Sequence, residues 1–467
     1  MRRSRLRIEL LAILLALFAA CPRPVRDRAA LSVPSRQRDS LPGGYYAQPA
    51  GIADDYPEES TTEAKIRRDL DTARAAGVRW LRFGLGWDAV ETAPGQYDFH
   101  LWDLLVQLAP RYGIALLPYV CYTPRWLSSA PEDFWRRPPA DPGRFGRFME
   151  TAARRYAGRV PSWELWNEPD NEQYWLGTAR QFADLVRAGA EGVRRGDPAA
   201  RVVLGGMSKG RSPFLETLLR EQRIGKVVDV VSLHGYLETW DARRAEDYPA
   251  FIGEVASLVG ETAPRDDLWM AEFGYSDWRK PGGNPSEWSY AVHDYEHTAA
   301  FQGVALLRAH ALALGTGVLS LTTWYRIDDL PASEGVIGDE NNKHLGVLDA
   351  RGRPKPAFAA LRLWSSLFDA PVRAVAAQAG PAVVRVFEKP SGELIVLAWL
   401  PSARGPPGRS PDVRAETVRI VLPHPGAALE EFDPATALPA RGSAALHGAS
   451  IDQVVLRGDS IFVARVR

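Results

Sequence analysis

Two glutamates stand where chemistry would be concentrated. Glu168 falls in the stretch Trp163 to Trp175, WELWNEPDNEQYW, where an apolar run ends in Asn167-Glu168-Pro169 among tryptophans and a tyrosine. Glu272 is isolated in MAEFG, residues 270–274, again at the end of an apolar run. Two carboxylates facing each other across an aromatic-walled site suit displacement at an acetal carbon. One attacks that carbon, the other protonates the departing oxygen, and a separation of about 5 to 5.5 Å marks the retaining version. Taken singly, each glutamate is an ordinary salt-bridge or loop residue, so the reading depends on a fold that holds both at one depth.

The elements needed for this are legible as apolar runs alternating with helix-period segments. Strands are expected at Val78 to Leu85, Gly113 to Val120, Ser162 to Trp166, Arg201 to Met207, Val227 to His234, Leu268 to Phe273 and Gly317 to Trp324. An irregular first strand is expected near Tyr45 to Gly51. Helical periodicity falls near 62–76, 99–112, 143–157, 178–195, 212–223, 243–260 and 288–314, with a last helix from Pro356. Near-continuous apolar strands indicate burial on both faces, as in a parallel sheet wrapped by helices. Eight such units close a (β/α)8 TIM barrel, here residues 43–370, whose active site lies at the C-terminal ends of the strands. An open doubly wound sheet is the alternative, but no GxGxxG follows the first strand. From 371 to 467 the rhythm changes to short strands, VVRVFE, ELIVLAWL, VRIVLP, QVVLRG and SIFVARV, which predict a small C-terminal β-sandwich.

In this frame the strand ends are polar and aromatic. Arg82 and Trp87 follow strand two, Tyr119, Tyr122 and Trp126 strand three, Asn167 and Glu168 strand four, His234 and Tyr236 strand six, Glu272 strand seven and Trp324 strand eight. Arg82 is either a plain ion-pair partner or the charge that holds Glu272 ionised. His234 alone reads as a satisfied buried histidine; its alternate spacing with Tyr236 puts both on one face of a strand end. Glu164, inside the strand, is expected to support the core, and Asp170 and Glu172 to lie on the rim. Asp328-Asp329 and Asp339-Glu340 either line the cleft or meet solvent.

Charge is balanced, with 57 basic and 57 acidic residues, so no global field attracts nucleic acid or an anionic membrane. The 15 tryptophans supply flat faces suited to sugar rings as well as to a core. No cofactor motif is present and no metal is called for: His293 and His297, four apart, read as a packed or solvated helix face. Residues 1–21, MRRSRLRIELLAILLALFAAC, combine four arginines with an apolar run too short to span a bilayer comfortably, as in an export signal. Residues 22–42 read as a Pro-, Arg- and Ser-rich tether. Cys121, in an apolar strand, is expected to be a buried free thiol.

Taken together, WNEP on strand four, HGY on strand six, Glu272 in MAEFG and Trp324 resemble glycoside hydrolase clan A. The blocks FGLGWDAVETAPGQYDF (83–99), LLPYVCYTPRWL (116–127) and HLGVLDARGRPKPAFAAL (344–361) make family 39 the most similar, a family of β-xylosidases, α-iduronidases and bacterial exopolysaccharide hydrolases. The resemblance implies a retaining O-glycosidase with Glu168 as acid/base, Glu272 as nucleophile and Asn167 as donor to the sugar 2-hydroxyl. It implies that His234 and Tyr236 position sugar and nucleophile, that Arg82 bonds near the nucleophile, and that Trp324 floors a sugar subsite. Where clan relatives place a histidine at the end of strand three, this chain has Tyr119 or Tyr122. The end of the leader, Leu17-Phe18-Ala19-Ala20-Cys21, resembles a bacterial lipobox, which implies lipidation of Cys21, membrane attachment and an exported location. A non-catalytic carbohydrate-binding barrel and a transglycosylase are the alternative functions.

Overall fold

Eight buried apolar runs pair side by side in parallel and close on themselves. The computed structural model describes residues 40–467 except 48, 129, 131, 265–266, 281–289 and 405–410. Cys21, the export signal and the tether up to residue 39 lie outside the described residues. The barrel strands are β1 Ala50–Asp54, β2 Trp80–Gly86, β3 Ala115–Cys121, β4 Ser162–Asn167, β5 Arg201–Met207, β6 Val230–Gly235, β7 Leu268–Phe273 and β8 Leu319–Tyr325. They follow chain order around the barrel, with β8 closing onto β1 through pairs such as Thr323 with Gly51.

Among the described residues, seven α-helices of nine or more residues flank them: α1 Glu63–Ala75, α2 His100–Leu108, α3 Pro142–Arg155, α4 Ala179–Gly196, α5 Tyr248–Thr262, α6 Ala299–Gly315 and α7 Pro356–Leu367. Their starts follow local chemistry. Thr62 caps α1, Asp141 followed by Pro142 opens α3, and Thr178 with Gln181 forms a reciprocal capping box on α4. Between β5 and β6 the expected helix is broken into a short α segment, Pro213–Glu216, a π turn, Thr217–Glu221, and a 3-10 turn, Ile224–Lys226.

Three sequence expectations are displaced. The first barrel strand starts at Ala50, not Tyr45, because Tyr45–Tyr46 pairs with Ser40–Leu41 in an antiparallel ribbon that absorbs the end of the expected tether. It ends on a buried charge, Asp54, neutralised by Arg326 at 2.6 Å. The helix expected at 288–314 starts only at Ala299, where Thr298 caps it; His293 and His297 precede it in turns.

α6 is apolar almost all round because it is covered twice. One side packs on the barrel, and the other meets the C-terminal sheets, where Arg308 donates to the Gly458 and Ser460 carbonyls at 3.2 and 3.3 Å. Those sheets comprise β9 Arg373–Val375, β10 Val383–Glu388, β11 Leu394–Trp399, β12 Ala415–Val421, β13 Leu429–Asp433, β14 Leu438–Ala440, β15 Ala445–His447, β16 Ser450–Arg457 and β17 Phe462–Val466. A six-stranded sheet, β9-β10-β11-β17-β13-β14, faces a three-stranded one, β12-β16-β15. Alternation splits the larger sheet: Val386, Val396 and Ala464 enter the sandwich core, while Phe387, Leu397 and Val463 join the barrel core. Burial on both faces explains why LIVLAW reads as an unbroken apolar run.

α3 and α4 approach so closely that a Cβ on Gly192 would stand 2.1 Å from the Gly146 carbonyl oxygen. Backbone cannot yield as a flexible side chain does. Gly192→Ala is therefore expected to destabilise the barrel by about 3 kcal/mol, read as a lowered midpoint in denaturant. An unchanged midpoint would contradict this packing.

Candidate active site

β4 sets the site through a break in its own alternation. Glu164 points into the barrel, fully buried, and accepts from Arg82 Nε at 2.7 Å and from the Gly206 amide at 2.9 Å. Trp166 then adopts φ 82°, and pairing to β5 skips from Leu165–Leu204 to Asn167–Gly206. The irregularity sends the Trp166 ring outward against Phe145 and Trp175, and leaves Asn167 and Glu168 at the mouth. Glu168 is also left-handed, φ 43°, with its amide held by the Gly206 carbonyl at 3.1 Å. Non-glycine residues at positive φ are uncommon, and two within three positions mark a place where the surroundings impose the conformation.

Arg82, on β2 and fully buried, joins the carboxylates and the asparagine. Its guanidinium donates to Glu272 Oε2 at 2.7 Å, to Asn167 Oδ1 at 2.8 Å and to both Glu164 oxygens, while its face lies 4.2 Å from the centre of the Tyr119 ring. Glu272, at the end of β7, also accepts from the Tyr236 hydroxyl. His234 pairs across the sheet with Glu272, and its Nδ1 lies 2.9 Å from Glu168 Oε1 and 3.8 Å from Glu272 Oε2. Its other nitrogen faces Gly206, where a Cβ would come within 2.0 Å. Asn171 donates to Glu168 Oε2 at 3.0 Å.

Burial dominates the electrostatics. It pushes Glu168 up to about 7, with only Asn171 and the more distant Arg82 and Lys209 pulling back. Burial and the Glu168 charge also raise Glu272, but there His234, the Arg82 cation and the Tyr236 hydrogen bond oppose the rise. His234 is shifted down, again chiefly by burial, which favours the neutral ring.

Around this centre opens a cavity of about 1240 Å³, above the usual 300–1,000 Å³ of small-ligand pockets. Tyr119, Tyr122, Asn167, Glu168, His234, Tyr236 and Glu272 all line it. Trp87, Trp126 and Trp324, expected there, do not. Trp324 packs against Phe273 and His310 on the helix side of the barrel, Trp87 is buried against Phe145 and Phe148, and Trp126 donates to the Glu91 carbonyl at 2.7 Å. β8 alternates one residue out of the expected phase, so Tyr325, not Trp324, faces the mouth; its hydroxyl donates to Asp55 at 2.7 Å, as Tyr119 does at 2.5 Å. Asp170, expected on the rim, is buried and ties the Ser208 and Lys209 amides, both at 2.9 Å. Asp328, Asp329 and Asp339 line the cleft. Asn171, Asp55 and Gly206 carried no sequence signal, being loop or backbone residues whose role is set by tertiary contact.

Among the described residues, three groups of side chains bring ligand-type atoms within 4.8 Å of one another: Glu168, His234 and Glu272; Asp277, Asp329 and His344; Asp54, Asp69 and Asp328. Each already meets protein cations. Arg82 bonds Glu272; Lys355 lies 3.0 Å from Asp277 and Asp329; Lys65 lies 2.6 Å from Asp69 and Arg326 2.6 Å from Asp54. His297 stacks on Tyr275 with its Nδ1 on the Ser276 carbonyl, and burial lowers it to about 4. Cys121 is a buried free thiol.

A closed (β/α)8 barrel with paired carboxylates at its C-terminal mouth is an arrangement suited to glycoside hydrolysis. Residues 96–400 match the family described as Glycosyl hydrolases family 39, and the chain belongs to that family. It is a glycosidase, and its substrates are carbohydrates. No curated protein matches it. Among solved structures it is similar to a family 39 glycoside hydrolase from Bacteroides cellulosilyticus WH2, with 18% identity, TM-score 0.67 and coverage of 90% of this chain and 81% of that one. It is similar also to a monomeric β-xylosidase from Caulobacter crescentus CB15, with 16% identity, TM-score 0.64 and coverage of 90% and 96%. A family 39 enzyme from Xanthomonas axonopodis pv. citri gives 14% identity, TM-score 0.61 and coverage of 93% and 95%. At these identities the likeness is one of fold.

Removing the guanidinium would leave Glu164 and Glu272 buried without their cation. Arg82→Met is expected to lower stability by about 3–5 kcal/mol at neutral pH, with Arg82→Lys intermediate. Chemical denaturation of the three proteins checks this; equal midpoints would contradict it.

Proposed function

We propose that this protein is a retaining glycosidase for β-linked oligo- or polysaccharides, with Glu272 as nucleophile and Glu168 as acid/base. The observation that carries the reading is the spacing: carboxylate oxygens of Glu168 and Glu272 lie within 4.8 Å. That supports direct attack by a carboxylate, since an inverting pair stands about 6.5 to 9.5 Å apart to admit a water.

Environment separates the roles. Glu272 receives two hydrogen bonds from Arg82 and Tyr236, donors that favour its anion and aim its lone pairs. Glu168, raised to about 7, holds a proton for part of the time near neutrality. In the first step a Glu272 oxygen bonds to the anomeric carbon, the bond to the leaving oxygen breaks, and the Glu168 proton passes to that oxygen. In the second, Glu168 takes a proton from water, the water oxygen bonds to the anomeric carbon, and Glu272 is released as carboxylate. Arg82 holds Asn167 Oδ1, which turns the Asn167 amide N–H toward the cavity as donor to the sugar 2-hydroxyl. The phenols of Tyr119, Tyr122 and Tyr236 form the sugar-facing wall. Substrates of the xylosidase, glucosidase or exopolysaccharide-hydrolase type fit this proposal, as does export, with Cys21 as a lipid attachment point.

The pH dependence follows with a definite sign. Protonated Glu168 is lost as pH rises through about 7, so kcat/KM on an aryl β-glycoside falls on the alkaline side. Glu168→Gln is expected to remove that limb and to slow substrates with poor leaving groups by about 10²–10⁴-fold. Glu272→Gly abolishes turnover, and azide restores it with an α-glycosyl azide as product. A first-formed α-sugar from a β-linked substrate with wild type would show inversion and refute the assignment.

A further inference from the structure

The mouth of the barrel is roofed on one side by the segment that follows β8. Residues 330–339 pass over the C-terminal face before the chain returns to α7. The root is fixed: Lys355 and the Gly346 amide bond Asp329 at 3.0 and 2.8 Å. So is the far end. Asp339 Oδ1 accepts from the Trp240 indole N–H at 3.0 Å, and a Cβ on Gly338 would stand 4.0 Å from Gln173 Oε1. Trp240 belongs to the loop after β6 and Gln173 to the loop after β4, which are two and four places round the barrel from β8. The segment therefore runs from the end of β8 to the loop after β6, which lie on either side of β7, the strand that carries Glu272, and Glu334, Val336 and Ile337 line the cavity.

The latch is joined to the reacting centre. The Trp240 ring meets the Tyr236 ring edge-on at 4.8 Å, and the Tyr236 hydroxyl donates to Glu272. Displacing Asp339 would free the indole N–H, loosen the ring that buttresses Tyr236, and open the roofed side.

We propose that the 330–339 strap is a chain stop: it closes one end of the cleft so that the enzyme binds a saccharide by its terminus and releases units of fixed size. Asp339 and Trp240 are positioning residues for that stop. This rests on the glycosidase reading above and deepens it to the mode of attack. A cleft open at both ends would accept a polymer anywhere along its length. One that ends against a pinned segment accepts a chain only as far as the stop.

The test uses linear oligosaccharides, fluorescently tagged at one end, of the sugar whose aryl β-glycoside the wild-type protein hydrolyses. Wild type is expected to give a single early product length. Asp339→Ala is expected to raise early internal-cleavage products by about tenfold, while Asp339→Asn, which keeps the acceptor oxygen, retains the wild-type pattern. Deletion of residues 332–337 supplies a second opening should Asp339→Ala fold poorly. A ladder of product lengths from wild type, or identical ladders from wild type and both opened variants, overturns the stop while leaving the glycosidase chemistry standing. Absence of aryl glycoside hydrolysis by wild type refutes the chemistry itself and the stop with it.

Discussion

A buried guanidinium holds this site together. Arg82 has no contact with solvent, and an unpaired charge there would be prohibitive, so its position depends on carboxylates on two other strands. Glu164 on β4 and Glu272 on β7 supply them, Asn167 accepts from a further donor, and Tyr119 on β3 offers its ring face. One side chain thus ties its own strand, β2, to residues of three others across the barrel. Glu164 is anchored in turn by the Gly206 amide, and Gly206 leaves room for His234. Replacing Arg82 leaves Glu164 and Glu272 buried without their cation.

The same interaction sorts the two mouth carboxylates. Both are desolvated and close together, so two negative charges there repel strongly. Direct bonding to Arg82 favours the charge on Glu272. Glu168 meets no cation directly, only His234 and Asn171, and in the proposed roles it is the one that carries the proton. The proposed roles need no difference in residue type: two glutamates would take opposite tasks from where one arginine points.

Much of this was legible in the chain. The strands announced themselves because parallel barrel strands are buried on both faces, and Arg201–Met207 and Leu268–Phe273 match the apolar runs residue for residue. Glu168, Glu272, Arg82, Asn167, His234 and Tyr236 converge because the ends of parallel strands share one level. The tryptophans misled for a related reason. A strand alternates faces, but the left-handed turn at Trp166 and the phase of β8 shift which residues point inward, and apolar patterning does not register a shift of one when both neighbours are aromatic. Tyr325 therefore replaces Trp324 at the mouth. The late start of α6 and the strap pinned by Trp240 were hidden too, because both depend on contacts between segments distant in sequence.

The central claim, that Glu272 attacks the sugar while Arg82 holds it ionised, is tested most directly by trapping the intermediate. Reaction with an activated 2-deoxy-2-fluoro β-glycoside, followed by proteolysis and mass spectrometry, locates the ester. The account predicts one sugar per chain, attached to Glu272, and no labelling of Glu272→Ala. Attachment to Glu168 or another residue, or turnover of the fluorosugar with no covalent species, would contradict it.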